Sequence, residues 1–413
     1  MHRRLNILIS AYACSPGRGS EPGMGWNFVS ELSKFHTIHV ITEEHEFREA
    51  IESFLKTNER FRKITFHFVP IVKNDTLRAI WPPSYYWYYR KWQKKAYETA
   101  LKLEAQHNFD LIHQLNMVGY REPGYLWKID KPFVWGPIGG LENSPWHFLP
   151  SLGLRGFVFY FSRNIINLWQ RNFSKRPRLA AKREKMALIS ATKNVARLAK
   201  ELWSKEPFVI AEVGQLQDIS HSRAGNRCLG EPLKIIWSGT HTPGKNLPLL
   251  LRALRMTSID YELDVLGDGS MNKNWKSSAR KMGIADNIKW YGWLTQDRAL
   301  KIMKSGHVFV ITSISDLTAT VTLEALSLGL PIICLNHCGF SDVVNENSGI
   351  KIKVSNPKKA AYDLRIALER IYNDEGFRSK LSNGAKNRST EYSWEAKIQM
   401  LNTIYNSLVT TVN

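Results

Sequence analysis

Ser313–Leu335, SISDLTATVTLEALSLGLPIICL, decides how this chain is read. The order is loop, helix, stop, strand. Asp316 and Thr318 are residue types that cap helix starts, and Ala319–Leu328 supplies an apolar helical face. Gly329 and Pro331 end that helix, and Pro331–Leu335 continues as a buried strand. His307–Thr312 (HVFVIT) reads as the strand before it, so the unit is strand, loop, helix, strand. In parallel α/β sheets ligands bind where strand carboxyl ends meet helix amino ends, and Thr312–Thr320 is such a junction. A helix start there offers free N–H groups and partial positive charge, suited to phosphate. Glu324 follows Asp316 by eight residues, at most ~12 Å along a helix axis. An acid near the helix start and one further up address two parts of one extended ligand. A capping Asp and a solvated Glu would explain the pair equally well, so the rest of the chain has to decide.

The chain has 413 residues, enough for two or three domains with proper cores. Apolar content of 43% and charged content of 23% are those of an ordinary globular protein. Cys14, Cys228, Cys334 and Cys338 include no CxxC pair, so neither a disulfide framework nor a zinc-finger or redox motif is indicated. The start, MHRRLNILISAYACS, has an apolar run broken by Asn6 and reads as a first strand rather than a leader. No stretch of ~18 consecutive apolar residues is present, and the expected location is the cytoplasm.

Net charge is +20 and lopsided: residues 1–207 hold 32 Lys and Arg against 18 acids. Such a half implies an anionic partner surface, nucleic acid or acidic lipid. Two segments concentrate it. Arg78–Lys95 mixes Trp81, Tyr85, Tyr86, Trp87, Tyr88, Tyr89 and Trp92 with five basic residues and no acid. Ser151–Lys205 holds 13 Lys or Arg against two acids, and Phe157, Tyr160, Phe161, Ile165, Leu168 and Trp169 recur at helical intervals. Rings at that spacing are usually core; beside so much base they also fit a membrane surface.

The order of elements is α/β twice over. Leu5–Tyr12 is a strand, Ser15–Gly25 a glycine-rich loop containing Gly19, Gly23 and Gly25, and Trp26–Phe35 a helix. Those glycines suit either close approach to a ligand or an ordinary turn. Phe109–Gln114 is a strand carrying His113, and Lys131–Val134 runs into a turn at Gly139 and Gly140. Leu216–Gly230 reads as a polar linker, and Leu233–Ser238 opens a second sheet. The first domain is expected over residues 1–212 and the second over 213–392, with a last helix at 393–413 packing back on the first. In the second half Gly239–Lys245, Gly267–Gly269, Tyr291–Gly292 and Ser313–Glu324 all follow strands, so they gather at one sheet edge. A lysine, bare backbone turns, a helix start and two carboxylates together suit a nucleotide diphosphate joined to a polyol.

With these motifs the sequence resembles the retaining glycosyltransferases of family 4, of GT-B fold. The resemblance rests on GSEPGMGW, FVWGPIGG, SGTHTPGKNLPLLLRAL, LDVLGDG and SDLTATVTLEALSLGLPIICLNHCGFSDVV, and covers nearly the whole chain. The last matches the family's acid-x7-acid signature, with Asp316 where most members have Glu. It implies two Rossmann-like α/β/α domains facing each other across a cleft, and a hexosyl-type transfer from a nucleotide sugar with retained anomeric configuration. It implies further that Glu324 holds the ribose, that Asp316 holds sugar hydroxyls, and that Lys245 with the N–H groups near Thr320 and Val321 neutralises the diphosphate. Gly239, Thr240, Gly267, Asp268, Gly269, Gly292, Leu317, Thr318 and Ala319 would complete the donor site. Gly19, Gly23, Gly25, Gly139 and Gly140 would serve from the first domain. His113 is the candidate for a histidine near the reacting sugar. Thr240 stands where many members have a phosphate-binding Arg.

No cofactor and no metal are expected. The expected partners are a nucleotide sugar, an anionic membrane surface on its cytoplasmic face and a lipid-linked polysaccharide or lipopolysaccharide precursor as acceptor, with no nucleic acid. The competing readings are a nucleic-acid-binding protein, although the basic residues lie outside any recognisable RNA or DNA module, and an epimerase or inactive sugar-binding protein of the same fold.

Overall fold

The computed structural model describes residues 3–72, 84–215, 227–228 and 230–410. Residues 78–83 of the aromatic segment and most of the expected linker, 216–226 and 229, lie outside them. The chain forms two compact units. The first comprises 1–141, 169–212 and 394–413, and the second 142–168 and 213–393.

The first unit is built on a parallel sheet of seven strands: β1 (Asn6–Ala11), β2 (Thr37–Glu43), β3 (Ile64–Val69), β4 (Leu111–Asn116), β5 (Phe133–Ile138), β6 (Met186–Ser190) and β7 (Phe208–Val209). Their order is β3-β2-β1-β4-β5-β6-β7. The strands read as near-continuous apolar runs because helices cover both faces of a parallel sheet; Ile7, Leu8 and Ile9 are fully buried. The helix Trp394–Thr410 packs here against the helix Ser20–Leu32, with Trp394 edge-on to Phe28 at 5.0 Å. Burying a side chain of that size contributes roughly 2–3 kcal/mol.

The second unit has six parallel strands: β8 (Leu233–Ser238), β9 (Tyr261–Leu266), β10 (Ile288–Gly292), β11 (Val308–Ile311), β12 (Ile332–Leu335) and β13 (Gly349–Ile352). Their order, β10-β9-β8-β11-β12-β13, reverses direction between β8 and β11. The loops leaving those two strands therefore flank the switch point where Rossmann-like sheets hold ligands. Both units are Rossmann-like, and the chain has the GT-B fold.

Three expectations change. The first helix begins at Ser20, not Trp26, so Gly23 and Gly25 are helical rather than in a loop. A Cβ at Gly23 would lie 2.0 Å from the Arg18 carbonyl oxygen, and one at Gly25 would lie 2.2 Å from that of Ala13. These glycines let the helix press on the chain's own loop, which leaves their approach to a ligand without support. Residues 142–168, assigned to the first domain by sequence order, group with the second unit. The cause is packing: Phe148, Leu149, Leu152 and Tyr160 join the apolar core of the second unit with Leu233, Trp237 and Leu247. Within the segment, Asn164 accepts from the Ser144 N–H at 3.0 Å and donates to the Ser144 carbonyl at 2.8 Å, while Asn167 donates to the Glu142 carbonyl at 3.2 Å.

The third change concerns aromatics. Tyr88, Tyr89 and Trp92 are core, and Tyr12 meets Tyr89 and Trp92 at about 5 Å edge-to-face. Tyr86 and Trp87 remain exposed. The helix Gly153–Phe173 is inverted instead. Its buried side is Gly156, Tyr160, Asn164 and Asn167, and Leu154, Val158, Phe159, Phe161, Ile165, Ile166, Trp169 and Phe173 lie on the exposed side.

Candidate active site

The site in the second unit is assembled from loops at the carboxyl edge of its sheet. Ser238 ends β8; Gly239–Thr242 leads to the tight turn Pro243–Lys245 and the helix Leu247–Arg255. Thr312–Ala319 leaves β11 and enters the helix Thr320–Ser327. A hydrogen-bond relay fixes one loop to the other. Trp237 Nε1–H donates to Thr312 Oγ1 at 3.0 Å, the Thr312 hydroxyl donates to the Lys245 carbonyl at 2.6 Å, and the Ile314 N–H donates to the Gly244 carbonyl at 2.9 Å. Held in this way, Lys245 Nζ donates to Asp316 Oδ2. Asp316 Oδ1 accepts from the Leu317 N–H at 3.1 Å.

Asp316 and Thr318 are not the caps of the following helix. Ala319 occupies that position at φ 61° with no capping side chain, and Thr318 is buried, its carbonyl accepting from the Thr322 hydroxyl at 2.7 Å. An uncapped first turn leaves the N–H groups at Thr320 and Val321 for a ligand. Glu324 stands in the second turn and accepts from Gln296 Nε2 at 2.7 Å. Burial raises its carboxyl above the usual range, opposed by that hydrogen bond.

Two further loops, after β9 and β10, pack beside Gly239. The Gly239 N–H donates to the Leu266 carbonyl at 3.0 Å, and the Gly267 N–H to the Gly292 carbonyl at 2.9 Å. Gly267 sits at φ 108°, and a Cβ there would lie 2.2 Å from the Gly239 carbonyl oxygen, so only glycine fits. Asp268 accepts from the Gly269 N–H at 2.6 Å and from Asn272 Nδ2 at 2.5 Å, which holds its carboxyl below the usual range. Thr240 is exposed. His241 is buried against Trp237 and Trp275, with ring centroids 5.6 and 4.9 Å away.

Helix Gly153–Phe173 supplies neighbours that sequence reasoning missed. Arg163 donates to Ser315 Oγ, beside Asp316. Tyr160 packs so tightly on the turn before Lys245 that a Cβ at Gly244 would lie 2.0 Å from its hydroxyl. The available signal was polar: Tyr160, Asn164 and Asn167 share one side of an otherwise apolar-rich helix.

His113 is enclosed by groups of the first unit. It is fully buried in β4, its Nε2–H donates to the Gly136 carbonyl at 2.7 Å, and its Nδ1 accepts from the Tyr405 hydroxyl at 2.6 Å. Both ring nitrogens are occupied, and burial pushes its pKa down to about 4, opposed by the Gly136 carbonyl. Gly139 and Gly140 lie in the first unit, where the Gly139 N–H donates to the Val118 carbonyl at 2.6 Å.

Residues 218–388 match the family model described as glycosyl transferases group 1. An uncharacterised glycosyltransferase of Methanocaldococcus jannaschii is 28% identical over 165 residues, 39% of this chain and 41% of that protein. A lipopolysaccharide core biosynthesis glycosyltransferase of Rhizobium meliloti is 24% identical over 213 residues, 51% of this chain and 60% of its own length. The matches thus span less than two thirds of either relative. Among solved structures, a sucrose-phosphate synthase from Thermosynechococcus elongatus superposes with a TM-score of 0.67 at 13% identity, over 99% of this chain and 100% of that one. Anabaena HepE in complex with UDP does so at 0.63 and 14% identity, over 98% and 100%. Residues 218–388 are therefore a match to the glycosyl transferases of group 1, set in a chain with the GT-B fold.

Proposed function

We propose that the chain transfers a sugar from a nucleotide diphosphate donor to an acceptor hydroxyl, with the anomeric configuration retained as in family 4. The observation that carries this reading is the Lys245–Asp316 pair at the switch point, with an uncapped helix start and Glu324 following it. Lys245 and the Thr320 and Val321 N–H groups meet the diphosphate, whose charge grows as the bond from sugar C1 to the phosphate oxygen breaks. Asp316 accepts from sugar hydroxyls and Glu324 from the ribose; the turns at Gly239, Gly267, Gly269 and Gly292 leave room for the nucleoside. The acceptor oxygen bonds to C1, and its proton leaves with the departing diphosphate. No metal enters this scheme.

The acceptor in this reading is lipid-linked, at the cytoplasmic face of a membrane. The relative from Rhizobium meliloti acts in lipopolysaccharide core biosynthesis, and the apolar side of helix Gly153–Phe173 is exposed, with Arg155, Arg163 and Arg171 and no acid along its length. No helix among the described residues is long and apolar enough to cross a membrane. Such a helix suits an interfacial position on anionic lipid. The test is a panel of UDP-, GDP- and ADP-sugars with free nucleotide diphosphate as the readout: release from one of them is expected, and release from none, with thermal stability unchanged by all, counts against the reading.

A further inference from the structure

Glu142, His337 and Cys338 bring a carboxylate oxygen, an imidazole nitrogen and a thiol sulfur within 4.8 Å of one another. All three belong to the second unit, although Glu142 and His337 lie far apart in sequence. The arrangement is built from both sides. Asn167 holds the Glu142 carbonyl and also donates to Asn143 Oδ1 at 2.9 Å, and Asn164 grips Ser144 through two hydrogen bonds. On the other side, Asn336–Gly339 leaves β12; the Asn336 N–H donates to the Ile352 carbonyl at 2.8 Å and the Gly339 N–H to the Leu317 carbonyl at 3.2 Å. Cys338 itself is buried and stands at φ 61°.

We infer that Glu142, His337 and Cys338 form a site for a borderline-soft divalent cation, with Zn²⁺ as the fitting ion. One sulfur, one imidazole nitrogen and one carboxylate oxygen is a donor set for zinc; magnesium and calcium take oxygen alone. Metal-oxygen, -nitrogen and -sulfur bonds of about 2.0–2.3 Å place tetrahedral ligands about 3.5 Å apart, so closure asks for side-chain shifts of about 1 Å. The surroundings resemble the outer shell of a metal centre. The His337 ring is hydrogen-bonded to the Ile314 backbone, which orients it, and the Asp316 backbone is hydrogen-bonded to the Cys338 sulfur. Three protein ligands leave a fourth position open. The inference stands apart from sugar transfer and holds whether or not that reading does.

Cobalt(II) reports the site without any turnover. The full chain, stripped with a chelator and titrated with Co²⁺, is expected to take up one equivalent and to show the near-ultraviolet sulfur-to-cobalt charge-transfer band, which added Zn²⁺ removes. Cys338→Ser abolishes the band, and Cys228→Ser, at the exposed thiol, leaves it intact. His337→Ala keeps the thiolate and lowers Co²⁺ affinity at least tenfold, which serves if Cys338→Ser fails to fold. No charge-transfer band in the wild type overturns the inference. So does a band that survives Cys338→Ser, or a Co²⁺ affinity unchanged by His337→Ala.

Discussion

Lys245 is paired with Asp316 across the point where the strand order of the second sheet reverses, and neither loop would hold its residue there alone. Thr312 joins them, accepting from Trp237 and donating to the Lys245 carbonyl. In the proposed reaction this pair opens to a diphosphate and a sugar. Lys245→Ala is expected to depress transfer by 10²–10³, about 3–4 kcal/mol of transition-state stabilisation, and Glu324→Gln by a comparable factor, with folding intact by circular dichroism. Turnover near wild type in either variant removes that residue from the site.

The inward His113 gives a contrasting expectation. Tyr405→Phe removes the hydroxyl that bonds Nδ1 and leaves a buried acceptor without its donor, lowering stability by about 1–3 kcal/mol. Its kcat for any accepted donor should match wild type at a temperature where both are folded. A kcat loss of tenfold or more in well-folded Tyr405→Phe would return His113 to the reaction.

Two residues in the first unit make its stability acid-sensitive. Burial takes His113 from 6.5 to about 4; burial, followed by repulsion from His107 and His67, does the same for His39. Between those values the unfolded chain binds more protons than the folded one, so stability is full above about pH 6.5 and falls as pH drops toward 4. For fully buried His113 the loss amounts to about 3 kcal/mol. Urea midpoints taken at several pH values should show this slope, and His113→Gln should flatten it. An unchanged slope in that variant would assign the sensitivity elsewhere.

Much of this was legible in the sequence. Apolar runs such as Leu5–Ala11 and Leu233–Ser238 announced parallel strands, and the loops after them had to gather at one edge, where Lys245 meets Asp316. What was not legible depends on partners distant in sequence. His113 reads as a free strand-end histidine until Tyr405, 292 residues on, covers it. The placement of residues 142–168 rests on Phe148, Leu149 and Leu152 entering the second unit's core and on the fit of Tyr160 against Gly244, and no periodicity encodes these. Helical spacing of the rings on Gly153–Phe173 was visible, but not that they would lie opposite the buried side.

That exposed face leads to a membrane test. Each basic residue near an anionic leaflet contributes ~1 kcal/mol, which in the proposed reading holds the helix reversibly at such a surface. Co-sedimentation with anionic vesicles is expected, weakened by salt, and lost in a Phe159→Ser, Trp169→Ser, Phe173→Ser variant. Arg176 is the wrong residue to change, because it is bonded to buried Glu122. Equal binding to neutral vesicles, or none to either, would point to an acceptor free in solution.

The most direct test of the central claim is calorimetric titration of the full chain with UDP, GDP and ADP, each alone. The account predicts saturable 1:1 binding of one of them. Lys245→Ala should weaken that binding at least tenfold by removing the cation that meets the diphosphate, and Glu324→Gln should weaken it by removing the ribose acceptor. Binding of none of the three, or an affinity that both substitutions leave unchanged, would contradict it.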